Sequence, residues 1–98
     1  MVKLKPYWVY ILQCADNTLY TGITTDIESR IHEHNIGHGA KYTRGRIPVK
    51  LVYSEVLIDK SSALKRENQI KKQTRKAKLA LIAASDLCFN PQKLGTPV

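Results

Sequence analysis

Two short apolar segments joined by a turn constrain the fold of this chain more than any other feature. Residues 8–14 read Trp-Val-Tyr-Ile-Leu-Gln-Cys, and residues 19–24 read Leu-Tyr-Thr-Gly-Ile-Thr. Both are rich in aromatic and β-branched residues, and Asp16-Asn17 between them is a turn signal, so a β-hairpin is expected. The first strand is nearly continuous in apolar character, which predicts a central strand covered on both faces. Gly22, inside the second strand, is typical of a place where another group approaches the backbone closely.

The hairpin loop decides whether Tyr10 and Tyr20 lie on the same face of the sheet. Side chains alternate along a strand, so the tyrosines share a face only if the numbers of directly opposed residues have an even sum. A two-residue loop opposes Ala15 with Thr18, whose sum is odd, whereas a three-residue loop or a bulge gives an even sum. A shared tyrosine site therefore predicts the longer loop.

A helix is predicted after the hairpin, and its inner face carries polar residues. Thr25, with Glu28 three residues later, fits a capping box. At roughly 100° per residue, one stripe of this helix contains Ile27, Arg30, Ile31 and His34. A helix used only for packing would have Leu or Val in place of that arginine and that histidine. The helix is expected to end at a glycine, either Gly37 or Gly39.

A third strand, predicted at residues 49–58, leads into a helix that contains an unusual carboxylate. One face of the strand is expected to carry Leu51, Tyr53 and Glu55. The helix is capped by Asp59 or Ser61. Its inner stripe is predicted to comprise Ala63, Leu64, Glu67, Ile70 and Lys71, and its wet side Arg66, Asn68, Gln69 and Lys72. A carboxylate among apolar positions is costly unless it is paired or bound to a metal, so Glu67 is a candidate functional residue.

The remainder of the chain is expected to form a last helix and a tail. Thr74 caps a helix at residues 75–84, which packs inward through Leu79, Ile82 and Ala83. Its first turn contains Arg75, Lys76 and Lys78, a basic cluster that either contacts phosphate or simply forms a solvated face. Residues 85–98 are predicted to be a loosely held tail, so residues 1–84 form a single domain.

Charge and composition favour a polyanionic partner. Sixteen Lys and Arg against eight Asp and Glu give a net charge of +8 and a pI near 9.7. Nucleic acid is the first expectation, because neutralising phosphates releases counterions. The two cysteines lack metal-ligand spacing and suggest no disulfide scaffold, which favours a reduced, cytoplasmic protein. No stretch approaches the ~18 apolar residues of a membrane span.

The segment at residues 37–48 is predicted to be a glycine-rich, basic loop. Basic side chains beside an aromatic ring suit phosphate contacts and base stacking. An ordinary solvated connection explains the same composition equally well. The candidate nucleic-acid-binding residues are Lys41, Tyr42, Arg44 and Arg46 of this loop, together with Lys71.

Five polar residues occupy positions where apolar residues are expected: Tyr10, Tyr20, Arg30, His34 and Glu67. In a basic domain, such a set suggests phosphodiester chemistry. The chain lacks a Walker loop, a Rossmann glycine pattern, a nucleophile elbow and a zinc-ligand pair of cysteines.

At these residues the chain resembles the GIY-YIG nuclease superfamily. The first signature matches at Trp8-Val9-Tyr10 and the second at Tyr20-Thr21-Gly22. Arg30 and His34-Asn35 follow at the family's spacing, and Glu67 lies in Ala-Leu-Lys-Arg-Glu-Asn-Gln-Ile-Lys-Lys. The resemblance covers about residues 7 to 84 and is greatest to small stand-alone bacterial members, the UPF0213-type proteins. Three positions depart from the family pattern: Trp8 replaces a glycine, Thr21 an isoleucine, and Gln73 an aromatic residue.

The resemblance implies an α+β fold, in which helices flank a three-stranded antiparallel sheet, and a divalent-metal-dependent nuclease. Glu67 would bind one Mg²⁺ or Mn²⁺ ion, and Arg30 would balance charge on the phosphate. Tyr10 would be the general base, Tyr20 would orient water or phosphate, and His34 would hydrogen-bond the phosphate or a tyrosine. A tyrosine base needs its pKa of ~10 lowered by about three units. Alternatively, the metal or a substrate phosphate supplies the base, and the tyrosine only positions water.

The expected function is therefore hydrolysis of DNA in repair or turnover, by a monomer without membrane attachment. RNA stays open as a substrate. The alternative is a nucleic-acid-binding module that retains the site and needs a protein partner for activity or targeting. A structural basic protein explains the charge but does not explain Glu67.

Overall fold

A computed structural model describes residues 5–89, and for residues 86–89 it describes the backbone only. The described chain contains the strands β1 (Tyr7–Gln13), β2 (Leu19–Thr24) and β3 (Lys50–Leu57). Its helices are α1 (Ile27–Asn35), α2 (Lys41–Arg44), α3 (Lys60–Lys71) and α4 (Arg75–Phe89). The strands form one antiparallel sheet in the order β2-β1-β3. This confirms the predicted α+β class, a three-stranded antiparallel sheet with flanking helices.

Strand β1 lies at the centre of the sheet and is covered on both faces. Val9 and Ile11 point to one face and are fully buried against a cluster that includes Tyr53, Ala63 and Ile70. Tyr10 and Leu12 point to the other face and belong to a second cluster, against which Ile27 and Ile31 of α1 pack. The continuous apolar character of β1 thus reflects two separate cores, one on each side of the sheet.

The β1–β2 loop has the longer form. The Cys14 N–H donates to the Thr18 carbonyl at 2.9 Å, and the Asn17 N–H donates to the Cys14 carbonyl at 2.9 Å. Asn17 adopts a positive φ of 69°, which asparagine tolerates better than most residues. This three-residue loop opposes Tyr10 with Gly22 and Leu12 with Tyr20, both with an even sum. The two tyrosines consequently share a face, as a common tyrosine site requires.

The ends of α1 differ in part from the prediction. Asp26, not Thr25, is the N-cap, because its carboxylate accepts the Ser29 N–H at 3.2 Å. At the other end, Gly37 has φ +86°. The Gly37 N–H donates to the His34 carbonyl, and the next N–H donates to the Glu33 carbonyl, which completes a Schellman motif. The choice between Gly37 and Gly39 is thereby settled in favour of Gly37.

Two local features change the prediction for the middle of the chain. A register shift between Ile11 and Leu12 pairs Tyr53 with Ile11 but Leu51 with Leu12, so Leu51 lies on the opposite face from Tyr53. The prediction that these two residues share a face was wrong. The segment predicted as loop 37–48 also contains a helical turn, α2.

The last two helices pack through residues that differ partly from the predicted stripes. Asp59 caps α3, and its Ala63 and Ile70 are buried as expected, but Leu64 is exposed. Arg66, predicted on the wet side, donates to Glu55 at 2.7 Å. Helix α4 packs through Leu81 and Ile82, whereas Leu79 and Ala83 are exposed. The half-buried residues of α4 recur at helical spacing, at Lys78, Leu81, Ile82 and Ser85.

Helix α4 begins after Thr74, whose hydroxyl accepts the Ala77 N–H at 3.1 Å, as predicted for a cap. It continues to Phe89 and so includes the first five residues of the predicted tail. The rest of that tail, residues 90–98, lies outside the described residues. Within residues 5–89, no helix is long and apolar enough to cross a membrane.

Candidate active site

Tyr10 and Gly22 form the floor of the candidate site. Tyr10 is 1% exposed and lies directly opposite Gly22. A Cβ atom on residue 22 would lie 2.6 Å from the Tyr10 Oη and 2.8 Å from its Cζ. The tyrosine ring therefore extends across the glycine toward the edge of the sheet that β2 forms. The close approach expected at Gly22 is made by a side chain of the protein itself, and any larger residue would displace Tyr10.

His34 lies at the centre of a buried hydrogen-bond chain. Its Nε2 is 3.1 Å from the Tyr10 Oη, and its Nδ1 is 2.7 Å from the Thr43 Oγ1. Thr43 donates its only hydroxyl proton to the Ala40 carbonyl at 2.9 Å, so its oxygen must accept a proton from His34 Nδ1. Nε2 is then an acceptor, and the Tyr10 hydroxyl donates to it. Counting protons thus assigns the tautomer of the neutral imidazole.

The segment after α1 supplies residues that the sequence analysis missed. Thr43 is fully buried on α2 and orients the His34 ring. Gly39 packs against the same ring, since a Cβ at residue 39 would lie 2.6 Å from the His34 Cγ and 2.8 Å from its Cα. The Gly-x-Gly spacing is the signal available in the sequence: Gly37 ends α1, and Gly39 packs against His34.

An aromatic stack connects the buried site to the surface. The Tyr20 ring centroid lies 6.4 Å from that of Tyr10, 5.5 Å from that of His34, and 6.0 Å from that of Tyr42. The Tyr20 and Tyr42 rings are nearly parallel, at 21°. The Arg46 guanidinium covers Tyr42 at 4.1 Å from its centroid. Tyr20 is partly exposed, so the aromatic stack leads from solvent to His34.

Arg30 and Glu67 act on Tyr10 electrostatically. Burial raises the pKa of Tyr10, the Arg30 guanidinium opposes this rise, and Tyr20 and Glu67 add to it. In the protein alone, Tyr10 therefore holds its proton more firmly than a free tyrosine. Arg30 pairs with Glu33 at 3.3 Å. An ion pair between Arg30 and Glu67 would have explained both residues as purely structural, and the described structure does not contain it.

Glu67 is a suitable oxygen ligand for a divalent cation. Its side chain is 15% exposed, and Lys71 Nζ lies 3.3 Å from its Oε2. Among residues 5–89 no group of three or more His, Cys, Asp or Glu side chains could form a complete metal cage. Mg²⁺ does not need such a cage, because it commonly binds one or two carboxylates and fills its remaining positions with water and phosphate oxygens. A lone, mostly buried carboxylate fits that requirement.

The predicted nucleic-acid-binding residues fall into three groups. Lys41 and Arg44 are exposed on α2. Tyr42 and Lys71 line one cavity beside β2. Arg46 is engaged internally, because it donates to Asp16 at 2.9 Å and to the Tyr42 carbonyl at 2.7 Å. Nucleic-acid contact by these five residues stays a prediction. Arg46 also has a structural role, because its hydrogen bonds connect the hairpin loop to α2.

Stability is expected to fall below about pH 6.5 because of His34. Burial, reinforced by the positive charge of Arg30, holds the pKa of folded His34 below its ordinary value of 6.5. The unfolded chain therefore binds more protons in this range, and the free energy of unfolding decreases as the pH falls from about 6.5 through the lower, folded pKa. Urea midpoints measured between about pH 5 and pH 8 test this linkage.

The His32→Gln variant should still lose stability in acid as the wild type does, since His32 is exposed on the same helix. Asp16 and Asp59, whose pKa values are lowered by hydrogen bonds from Thr18 and Ser62, affect stability only near and below their ordinary value of 3.8. A urea midpoint that stays constant down to about pH 5 would contradict the role assigned to His34.

Comparison with known protein families shows which class of protein has this sheet and this tyrosine-histidine cluster. Residues 6–80 match the family model described as the GIY-YIG catalytic domain, and the chain belongs to this nuclease family. Its relatives include many UPF0213 proteins, as the sequence resemblance predicted. One from Streptococcus agalactiae is 52% identical over 82 residues, which cover 84% of this chain and 92% of the relative. One from Haloquadratum walsbyi is 56% identical over 75 residues, which cover 76% and 84%.

Solved structures support the same assignment. The solution NMR structure of a UPF0213 protein from Bacillus halodurans is 40% identical to this chain. It matches with a TM-score of 0.55 over 95% of this chain and 96% of that one. A second NMR structure, of a protein from E. faecalis, is also 40% identical and has a TM-score of 0.59 over 89% and 93%.

Proposed function

We propose that the protein is a divalent-metal-dependent nuclease that hydrolyses phosphodiester bonds in DNA. The observation that carries this proposal is the cluster above Gly22, where Tyr10, Tyr20 and His34 are in contact. Arg30 and Glu67 are close enough to Tyr10 to influence its pKa. A base candidate, a proton acceptor, a cation and a carboxylate are thus combined in one site on a chain of net charge +8. Repair or nucleic-acid turnover in the cytoplasm suits such an activity, and RNA is a second candidate substrate.

Glu67 would hold the metal ion, and Arg30 would bind the phosphate. A bound Mg²⁺ or Mn²⁺ ion polarises a phosphoryl oxygen and stabilises charge in the transition state. The Arg30 side chain is 31% exposed, so its guanidinium can reach a phosphate from solvent while still influencing Tyr10. Its positive charge offsets the negative charge that develops on the phosphoryl oxygens.

The His34 chain gives Tyr10 a route to act as a base without a stable phenolate. A free tyrosine is only about 0.1% ionised at neutral pH, and burial of Tyr10 makes ionisation harder still. Its hydroxyl, however, already donates to Nε2 of His34. As water transfers a proton to the Tyr10 oxygen, the tyrosine proton can pass to Nε2. Thr43 holds Nδ1–H in place, and the lowered pKa of His34 keeps Nε2 free at neutral pH.

One observation favours the alternative, a nucleic-acid-binding module that needs a partner for activity. The Glu67 carboxylate is paired with Lys71, which competes with a metal ion for the same oxygen atoms. A partner or a substrate phosphate that draws Lys71 away would free Glu67. In this second proposal the monomer binds nucleic acid, and cleavage appears only in the complex.

Arg30→Gln is expected to reduce cleavage by about 10²- to 10³-fold, because the phosphate loses its charged donor. The measurement incubates the pure protein with single-stranded, duplex and branched DNA and with RNA, in Mg²⁺ or Mn²⁺. Lys65→Gln also removes one positive charge, from an exposed position of α3 outside the proposed site, and serves as the matched control. Cleavage by Arg30→Gln at the wild-type rate would refute the assignment of the active site. Binding to every substrate without cleavage would support the partner-dependent module.

A further inference from the structure

Two adjoining cavities follow the open edge of β2. One, of about 240 Å³, is lined by Leu19, Tyr20, Thr21, Tyr42, Lys71 and Lys78. The other, of about 230 Å³, shares Leu19, Tyr42 and Lys78 and adds Thr18 and Arg75. They form one groove, called here the β2-edge groove. It begins at Tyr20, in the candidate active site, and runs toward the first turn of α4.

The charge of the β2-edge groove is positive. Lys71 comes from α3, whereas Arg75 and Lys78 come from α4, and the described lining residues include no carboxylate. Lys78 is half-buried in the inner stripe of its helix, where an apolar residue would pack better. Lys71 also contacts Glu67, so the row of cations leads directly to the proposed metal ligand. This arrangement matches a chain of phosphates that enters the active site.

Thr21 supplies a second, independent sign of a ligand. It is only 4% exposed, and its Oγ1 has no hydrogen-bond partner among the described residues. A buried hydroxyl without a partner is unfavourable, so an unpaired one in a cavity wall indicates a missing acceptor or donor. The alternation of antiparallel hydrogen bonds also turns the backbone N–H groups of Leu19 and Thr21 toward the open edge. Phosphate oxygens accept from both kinds of group.

We propose that the β2-edge groove binds the sugar-phosphate backbone of one nucleic-acid strand and guides it to the active site. Lys71, Arg75 and Lys78 pair with successive phosphates, and Thr21 donates its hydroxyl to one of them. The inference rests on the proposed function in taking nucleic acid as the partner. It adds Arg75 and Lys78 of α4 to the nucleic-acid-binding surface, which was expected mainly at the loop of residues 37–48.

The salt dependence of binding tests the groove. A labelled single-stranded DNA oligonucleotide is titrated in EDTA, which prevents metal-dependent cleavage, over a range of salt concentrations. Lys78→Gln is expected to make the plot of log binding constant against log salt concentration less steep by about 0.7. The double variant with Arg75→Gln and Lys78→Gln should make it less steep by about 1.4. Lys76→Gln is the matched control, because Lys76 is exposed on the same helix turn and does not line the groove.

Thr21→Val provides a variant without a charge change. Valine has nearly the same shape and removes an unpaired hydroxyl, so the free energy of unfolding should stay unchanged or rise. Binding of the oligonucleotide should weaken about tenfold, because a hydrogen bond to a charged phosphate is lost. Unchanged binding by Thr21→Val, or equal slope reductions for Lys76→Gln and Lys78→Gln, would overturn the proposal.

The outcomes also separate the groove from the nuclease. If the slope falls as expected but the wild-type protein cleaves no substrate, the groove stands and the nuclease proposal fails. If cleavage is lost in Arg30→Gln but the groove variants bind like the wild type, the nuclease stands and the groove proposal fails.

Discussion

Gly39→Ala is expected to lower the free energy of unfolding by about 3 kcal/mol or more. The added methyl would overlap the buried His34 ring, from its Cγ to the imidazole Nδ1, and would approach the His34 Cα at 2.8 Å. The His34 backbone cannot easily move away, because its Cα, which the methyl would contact, is part of helix α1. Overpacking alone costs about 1 to 3 kcal/mol, and a displaced His34 leaves Tyr10 and Thr43 without their hydrogen-bond partner.

Urea denaturation and near-UV circular dichroism measure the effect of Gly39→Ala. Such a loss is a large fraction of the 5 to 15 kcal/mol that typically stabilises a domain. Gly45→Ala is the matched control, since a Cβ at residue 45 meets nothing within 4 Å and its φ of −94° suits alanine. The control should change stability by less than about 1 kcal/mol. Equal midpoints for the two alanine variants would show that Gly39 does not hold His34 in place.

The hairpin, the sheet and the glycine at the end of α1 were predictable because each follows from local rules. Alternation along β1 and β2 allowed only certain loop lengths once Tyr10 and Tyr20 were required to share a face. Asn17 then supplied the positive φ that this loop needs. Gly37 supplied the left-handed residue of the Schellman motif.

Features that depend on contact between distant segments were not predictable. The shift that separates Leu51 from Tyr53 arises in the pairing of β1 with β3, and a single strand sequence does not reveal it. Thr43 lies in a segment with the composition of a loop, and only the folded chain places it against His34. The pairing of Glu67 with Lys71 was predictable from their i, i+4 spacing, but its consequence for metal binding depends on how far Glu67 is buried.

The candidate site itself was predicted from exceptions to the apolar pattern. Arg30, His34 and Glu67 interrupt stripes that otherwise pack, and the structure brings His34 into contact with Tyr10. What the pattern did not indicate is the direction of proton transfer. The assignment of Nδ1–H depends on the hydroxyl of Thr43 being used for the Ala40 carbonyl, which is a property of α2 and its N-terminal turn.

Glu67→Gln is expected to reduce metal-dependent cleavage by about 10³-fold or more while leaving the fold intact. A metal ion contributes several kcal/mol of transition-state stabilisation, and every 1.4 kcal/mol corresponds to a factor of about ten. Glutamine keeps the shape of the side chain, and the Lys71 partner is 48% exposed, so loss of the ion pair costs at most about 1 kcal/mol. Single-turnover cleavage and urea denaturation measure the two effects separately.

Metal binding can be measured independently of cleavage. Mg²⁺ or Mn²⁺ should raise the unfolding midpoint of the wild type, because a ligand that binds only the folded state stabilises it, and should have no such effect on Glu67→Gln. Glu28→Gln removes the same charge from an exposed position of α1 and should behave like the wild type in both cleavage and metal response. In EDTA, Glu67→Gln should bind DNA at least as tightly as the wild type, since one negative charge near the phosphate is removed. Metal-dependent stabilisation that persists in Glu67→Gln would show that the ion binds elsewhere, and Glu67 would then have only its pairing with Lys71 to explain its burial.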